Sequence, residues 1–398
     1  MSSAHMGPTG GEDIYASPNE LTVTRDGKVV GRFECERSDL WYDKYPPTHQ
    51  VGAWIGRARN GDMYIVVGPA LFMSTDGGHE WTSRPVPPAG ENGSRAFTVL
   101  HDGRLLLAVQ AEDGACMEFS ASADGGETWL HVSSLSASPF ERIGEGFLYL
   151  SQLRDGTILF PVCRYDSVPP GEHPKNTPQH VFRSTDGGRS WQGGEVEDAE
   201  VLPVGSGPQA RWPGMGGTFP GCYETHVLEL SGGRLLAAYR YSGYPQPWHR
   251  GMVAAWGGKP VPDGIGRFFK QVFLGDSVDG GRTWQNLRPL LDADGRPVLE
   301  FGETHGHLQE LPDGRLILVH DRRYPYDSAN IVAHLSEDGG TTWRRERYHL
   351  AFGVGYPSSL ALADGTVLTA TTATPFGSDG LPTEPCCRAR LIRWRVPD

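Results

Sequence analysis

Two Glu-Thr-His triplets stand out among the residues able to do chemistry: Glu224-Thr225-His226 and Glu303-Thr304-His305, the second followed by His307. An imidazole near its intrinsic pKa gives or takes a proton at neutral pH, so these residues suit acid–base work. Regular strand alternation would put Glu303, His305 and His307 on one face. A lone strand-end histidine usually does no more than complete hydrogen bonds. Four of them, His49, His226, His305 and His307, weigh the balance toward a site. Two or three imidazoles with a carboxylate would also hold a metal ion, but the spacing matches no metal motif, and no metal or cofactor is expected. Arg142, Arg322 and Arg323 offer positive charge to a carboxylate-bearing ligand; the plainer reading of Arg322-Arg323 is a solvated turn.

Such scattered residues need a scaffold, and the scaffold is written in repeats. Ser-x-Asp-Gly-Gly-x-x-Trp occurs five times, from Ser74 to Trp81, Ser122 to Trp129, Ser184 to Trp191, Ser277 to Trp284 and Ser336 to Trp343. The Asp accepts backbone N–H bonds within its own turn, the glycines permit positive φ, and the Trp plugs the gap between neighbouring units. A second repeat is an apolar strand, a turn ending in Gly, and another apolar strand. Its glycines are Gly61, Gly103, Gly156, Gly233, Gly314 and Gly365. Six strand pairs and five boxes predict an all-β, six-bladed β-propeller. The sixth unit lacks a box; the run Ala389 to Val396 is expected as its outer strand, with the hairpin around Arg25-Asp26-Gly27-Lys28 closing the ring from the other end. Residues 1–18 are expected to be a disordered start and 19–398 a single domain.

Composition narrows the partners. The 398 residues carry 36 Lys+Arg against 48 Asp+Glu, a net charge of −12 that disfavours a nucleic-acid backbone. No apolar run is long enough to span a bilayer, so no membrane partner is expected. Six scattered cysteines form no disulfide framework, and the polar start is unlike a signal peptide; a cytoplasmic protein is expected, with export after removal of a leader as the alternative. Between Trp191 and Ser277 lie 85 residues, against 40 between the first two boxes. Part of that excess, the aromatic segment 241–269 with Trp248, is expected to form a binding rim or an oligomer contact.

The boxes resemble the Asp-boxes, or BNR repeats, of the sialidase superfamily, where they sit on outer turns away from the active site. The resemblance implies that Asp76, Asp124, Asp186, Asp279 and Asp338 are structural, and that the site lies at the propeller axis, at the starts of inner strands and just past second strands. Counted from the turn glycines, nine residues back stand Gly52, Ser94, Phe147, Glu224, His305 and Tyr356; seven residues on stand Gly68, Gln110, Cys163, Arg240, Asp321 and Thr372. Tyr356 is similar to the family's nucleophile, Glu224 to its partner base, and Arg240 to one of the arginines that grip a substrate carboxylate. No arginine stands near Gln50 or Gly52, and the loop Gly68-Pro69-Ala70-Leu71 holds no acid. A histidine, His305 or His49, would then replace the acid, with His226, Glu303, His307, Arg142, Arg322 and Trp248 lining the substrate. The resemblance thus implies a carbohydrate-active enzyme, first an exo-acting glycoside hydrolase on an acidic glycan. A Tyr/His uronate lyase and a non-catalytic glycan-binding propeller are the alternatives.

Overall fold

A computed structural model describes residues 19–42, 52–88, 93–144, 147–166, 179–193, 222–243, 269–299, 302–322, 330–352, 355–373 and 388–397. Among them there is no helix, and so none long and apolar enough to cross a membrane. Five of the strand–turn–strand repeats form full antiparallel pairs, such as Ala53–Arg57 with Met63–Val67 and Glu303–Glu310 with Leu316–Arg322. Repeat three is cut short: Ser151–Gln152 alone pairs with the start of Ile158–Tyr165. Where a box follows, its Ser ends a third strand. Its Trp precedes the next strand, as in Ala70–Ser74 and Thr82–Pro85. These sheets stand in a ring as an all-β propeller.

Alternation inside the strands fills the seams between sheets. In repeat five the side chains of Ile317, Val319, Ile331 and Leu335 pack against Val367, Ile392 and Trp394 of repeat six. Leu316 and Leu318 point the other way, to Val272, Leu274 and Leu290 of repeat four. Both faces of the sheet are therefore apolar and nearly all of these side chains are fully buried. Each such Leu, Ile or Val contributes about 1.5–3 kcal/mol.

Closure differs from the sequence expectation. The C-terminal strand Arg388–Arg395 is the third strand of repeat six, and the outermost is Glu36–Trp41, paired along its whole length with it. Asp39 locks this pairing through Arg388 at 3.0 Å and Arg390 at 2.8 Å. The hairpin Glu20–Arg25 and Lys28–Glu34 does not close repeat six; it extends repeat five by pairing with Arg347–Phe352. The N-terminal strands thus cover two outer edges, one of them that of the C-terminal strand.

All five boxes share the Ser–Asp and Gly–Ser hydrogen bonds and a backbone amide on the Asp, whereas the Trp return to the Gly carbonyl occurs in the first and fourth. Ser74 Oγ donates to Asp76 Oδ1 at 2.7 Å and accepts from Gly78 N at 2.9 Å, while Asp76 also receives the amides of His79 and Glu80. Trp81 Nε1 returns to Gly78 O at 3.2 Å. The Ser74 hydroxyl first, then the Glu80 amide, draw the Asp76 carboxyl down to about 2. A folded pKa below the unfolded value of about 3.9 means this stabilisation is complete above pH 4 and is lost as pH falls toward 2. Asp76→Asn should therefore lower the thermal midpoint at pH 7, and the gap to the wild type should shrink to a small fraction by pH 2. A scan of both proteins from pH 7 to 2 checks this; a gap that is undiminished at pH 2 would refute it.

Candidate active site

The site begins with a backbone irregularity that occurs three times. Glu224, His305 and Tyr356 have φ of 53°, 56° and 55°. At each, the ladder slips by one residue. Tyr223 pairs with Arg240 but His226 with Ala238; Thr304 pairs with Asp321 but His307 with Val319; Gly355 pairs with Thr372 but Ser358 with Ala370. This is the bulge whose first residue is left-handed, a place normally given to glycine. The matching residue in repeat one is indeed a glycine, Gly52, at φ 113°. Filling the position with Glu, His and Tyr costs about 1–2 kcal/mol each, and such strain concentrates at functional sites.

The three strained residues meet. His305 places Nδ1 2.6 Å from Asp321 Oδ1 and Nε2 in hydrogen-bond contact with Glu224 Oε2. Thr304 Oγ1 donates to the same Asp321 oxygen at 2.7 Å, and the Tyr356 amide donates to Asp321 Oδ2 at 3.4 Å. Arg240 Nη1 donates to Glu224 Oε2 at 2.9 Å and lies 3.1 Å from His305 Nε2. The Tyr356 ring lies 4.1 Å from the His305 ring and 5.6 Å edge-on from Phe147. Glu224, His305 and Asp321 are 2%, 1% and 0% exposed, so their charges interact with little screening by water. A carboxylate–imidazole–carboxylate chain beside a phenol can hold, pass and return one proton.

Two residues further along these strands the axis is filled. His226 and His307 stack at 3.9 Å, with Tyr149 packed against both. Each uses its polar atom on a neighbouring backbone. His226 Nδ1 accepts the Leu308 amide at 3.1 Å and His307 Nδ1 accepts the Ser359 amide at 3.3 Å. Tyr149 Oη donates to Pro357 O at 3.3 Å, and Trp54 Nε1 to Leu148 O at 2.7 Å. Burial first, then the charges of Glu224 and Asp321, push the Tyr149 phenol well above its usual range.

The structure therefore sorts the residues expected from sequence. Glu224, Arg240, His305 and Tyr356 converge. His226 and His307 lie in the floor with Nδ1 committed to main-chain amides. Glu303 does not share a face with His305 and His307, because the bulge reverses the alternation between them. It pairs with Arg322 and faces the seam between repeats four and five, fully buried, with Arg347 Nη2 3.3 Å and Arg322 Nε 3.6 Å away. Glu303 and Arg322 thus lie on the seam face of the strand pair, opposite the face of Asp321. Arg142 lies on the short strand Arg142–Ile143, its guanidinium over Gly114. His49, Trp248, Arg323 and nearly all of the segment 241–269 fall outside the described residues, as does the 1–18 start. Asp321 was on the ruler of turn glycines without a role, although it holds three of the groups in the site. Tyr149 carries no signal, since it stands in a segment that precedes the shortened strand Ser151–Gln152.

This geometry can be set beside known proteins. The model of the BNR repeat-like domain matches residues 51–256. The chain belongs to that family. No curated protein matches it by sequence. Among solved structures this BNR-repeat protein is similar to a protein of unknown function from Dyadobacter fermentans. The two share 18% identity and a TM-score of 0.59 over 94% of this chain and 100% of that one. An α-L-arabinofuranosidase from Fusarium graminearum, bound to an iminosugar inhibitor, follows at 15% and 0.58, with 89% and 97% covered. A Trypanosoma rangeli sialidase bound to the inhibitor DANA gives 14% and 0.53. There 90% of this chain covers 59% of the sialidase, which is the longer protein. At these identities the likeness is one of fold: a BNR propeller whose structural neighbours include sialidases and arabinofuranosidases.

The floor histidines give this propeller a pH signature. Burial lowers His226 to about 3 and His307 well below the usual range. A folded pKa below the unfolded value of about 6.5 means the unfolded chain binds the extra protons, so stability falls as pH drops from 6.5 toward 3. His226→Gln removes one such proton and should shrink the loss of unfolding free energy between pH 7 and 5 by about 1–2 kcal/mol. Urea titrations of both proteins at the two pH values check it, and an unchanged loss would show that His226 titrates normally.

Proposed function

We propose that this BNR-repeat protein is a single-domain, six-bladed propeller enzyme, an exo-acting glycoside hydrolase on an acidic glycan. The observation that carries the reading is the His305 imidazole, bridging Glu224 and Asp321 while lying against the Tyr356 ring. An ordinary phenol loses its proton near pH 10, so a tyrosine nucleophile needs a base beside it. In this reading Glu224 takes the proton as Tyr356 Oη attacks the anomeric carbon, forming a glycosyl–tyrosine bond as the glycosidic C–O bond breaks. His305, held by Asp321, supplies the proton that the leaving oxygen needs. Water then attacks the same carbon and gives its proton back to His305, Tyr356 leaves as phenolate and recovers its proton from Glu224, and one water is consumed per bond cleaved. A neutral phenol approaches a carboxylate-bearing sugar with less repulsion than a carboxylate nucleophile would, which favours an anionic substrate.

The position of Arg240 favours hydrolysis over elimination. A uronate lyase needs an arginine on the substrate carboxylate to acidify the adjacent proton, whereas Arg240 Nη1 is engaged by Glu224. Here Arg240 holds the base. The lyase keeps one supporting feature, the Tyr356–His305 contact, and is the second reading.

Mass spectrometry of products from sialylated and uronate-containing oligosaccharides distinguishes them. Addition of one water is the expected outcome; fragments that sum to the parent mass, one of them unsaturated, would replace hydrolysis with elimination. Tyr356→Phe and Glu224→Gln should each lower turnover by about 10²–10⁴-fold with substrate affinity within about threefold. Turnover retained in Tyr356→Phe would remove the tyrosine from either mechanism, and no turnover with tight binding in the wild type would leave a glycan-binding role.

A further inference from the structure

The bulge that brings His305 to the axis turns Glu303 into the seam between repeats four and five, where two histidines wait. His320, on the strand Leu316–Arg322, and His334, on Asn330–Ser336, are diagonal neighbours on one sheet face, since Val332 pairs with His320 and Leu318 with His334. Their rings are parallel within 2°, with centroids 5.4 Å apart. Glu303, His320 and His334 are each fully buried, and one ligand atom from each lies within 4.8 Å of the others. Each imidazole sets Nδ1 on a main-chain carbonyl, His320 on Asp321 O at 3.2 Å and His334 on Arg344 O at 3.3 Å. A carbonyl only accepts, so Nδ1 carries the hydrogen and Nε2 presents a bare lone pair. Neither Nε2 has a hydrogen-bond partner among the described residues.

Two buried imidazole lone pairs beside a carboxylate, with both tautomers fixed from behind by carbonyls, are the first and second layers of a metal site. We propose that Glu303, His320 and His334 bind a divalent transition ion of the zinc class, with the fourth tetrahedral position left to a non-protein ligand. A tetrahedral ion at about 2.0–2.1 Å from each ligand wants ligand atoms roughly 3.4 Å apart, so the three side chains need to close by at most about 1.4 Å. The two arginines beside Glu303 set the chemistry of the ion. Their positive charge opposes any cation, so calcium or magnesium, which depend on negative oxygen ligands, are disfavoured. An ion that gains from imidazole nitrogen is retained. The site would tie the inner, second and third strands of repeat five together. Glu303 and His320 immediately precede Thr304 and Asp321, so the ion would brace the strands that hold His305.

The test uses the full chain and the metal alone. After incubation with Zn²⁺ and gel filtration, one ion per chain is expected by elemental analysis, and Co²⁺ should give the visible bands of a low-coordinate nitrogen–oxygen site. His320→Gln and His334→Gln should each cut retained zinc at least tenfold. Arg347→Met, which removes an opposing charge, should tighten binding several-fold. No zinc retained by the wild type would overturn the proposal, as would wild-type retention in both histidine variants or weaker binding in Arg347→Met. If the histidine variants do not fold, X-ray absorption of the zinc-loaded wild type decides. A shell that contains two imidazole nitrogens and a carboxylate oxygen supports the site; a shell without both imidazoles overturns it.

Discussion

One residue too many at the start of an inner strand is the constraint on which the site depends. With regular pairing, Glu303 and His307 would share a face and the side chain at 305 would fall in line between them. The extra residue breaks that line in repeats four, five and six, and at each break a left-handed Glu, His or Tyr points to the axis. Glycine would relieve the backbone and leave the axis empty of chemistry. The strain is held by hydrogen bonds that act on the bulge itself. Asp321 takes the Thr304 hydroxyl and the Tyr356 amide, and both Thr371 and Thr372 donate their hydroxyls to Gly355 O, at 2.5 and 2.9 Å. Asp321 is thus tied to two bulges at once, which is why its side chain matters as much as the groups it orients.

Beneath the strained layer lies one with almost no freedom. Trp54, Tyr149, His226, His307 and Ser358 come from five different repeats, and each spends its polar atom on a backbone group of another repeat. The rings of Tyr149, His226 and His307 pack together at the axis and give the site a floor of aromatics at that level. A rigid floor and a strained rim together place charged groups before any ligand arrives, the arrangement that makes electrostatic stabilisation effective. The depressed basicity of His226 and His307 belongs to the same design: a charged imidazole in this layer would lose its acceptor nitrogen and push against its neighbour.

Much of this was legible in the sequence because repeats report geometry. The boxes mark outer turns by a self-contained hydrogen-bond pattern, and the turn glycines place Glu224, Arg240, His305, Asp321 and Tyr356 at equivalent heights without any coordinates. What was not legible has two physical causes. Glu303 was misplaced because alternation assumes an unbroken ladder, and a bulge occupied by His rather than Gly leaves no compositional mark. The outer strand of repeat six was misassigned because Glu36–Trp41 is short, charged and remote from any turn glycine. Its identity as a strand comes from Asp39 meeting Arg388 and Arg390, contacts some 350 residues apart in the chain. Arg240 was found where expected, yet its partner is the base Glu224, something that height alone does not reveal.

The same bulge explains how one pair of strands serves two unlike environments. Thr304 and Asp321 are opposite each other, as are Glu303 and Arg322, one step along the ladder and on the other face. On the axial side a histidine lies between two carboxylates; on the seam side two histidines and a carboxylate lie among arginines. A shift of one residue in register would exchange these sets. It would turn Asp321 toward the apolar Val272, Leu274 and Leu290 of repeat four and leave His305 without an acceptor, each an unpaired buried polar group that costs kilocalories. The register of repeat five is therefore fixed by polar chemistry on both faces as well as by its apolar seams. A chain that folds this repeat correctly has, in the same step, assembled the His305–Asp321 pair.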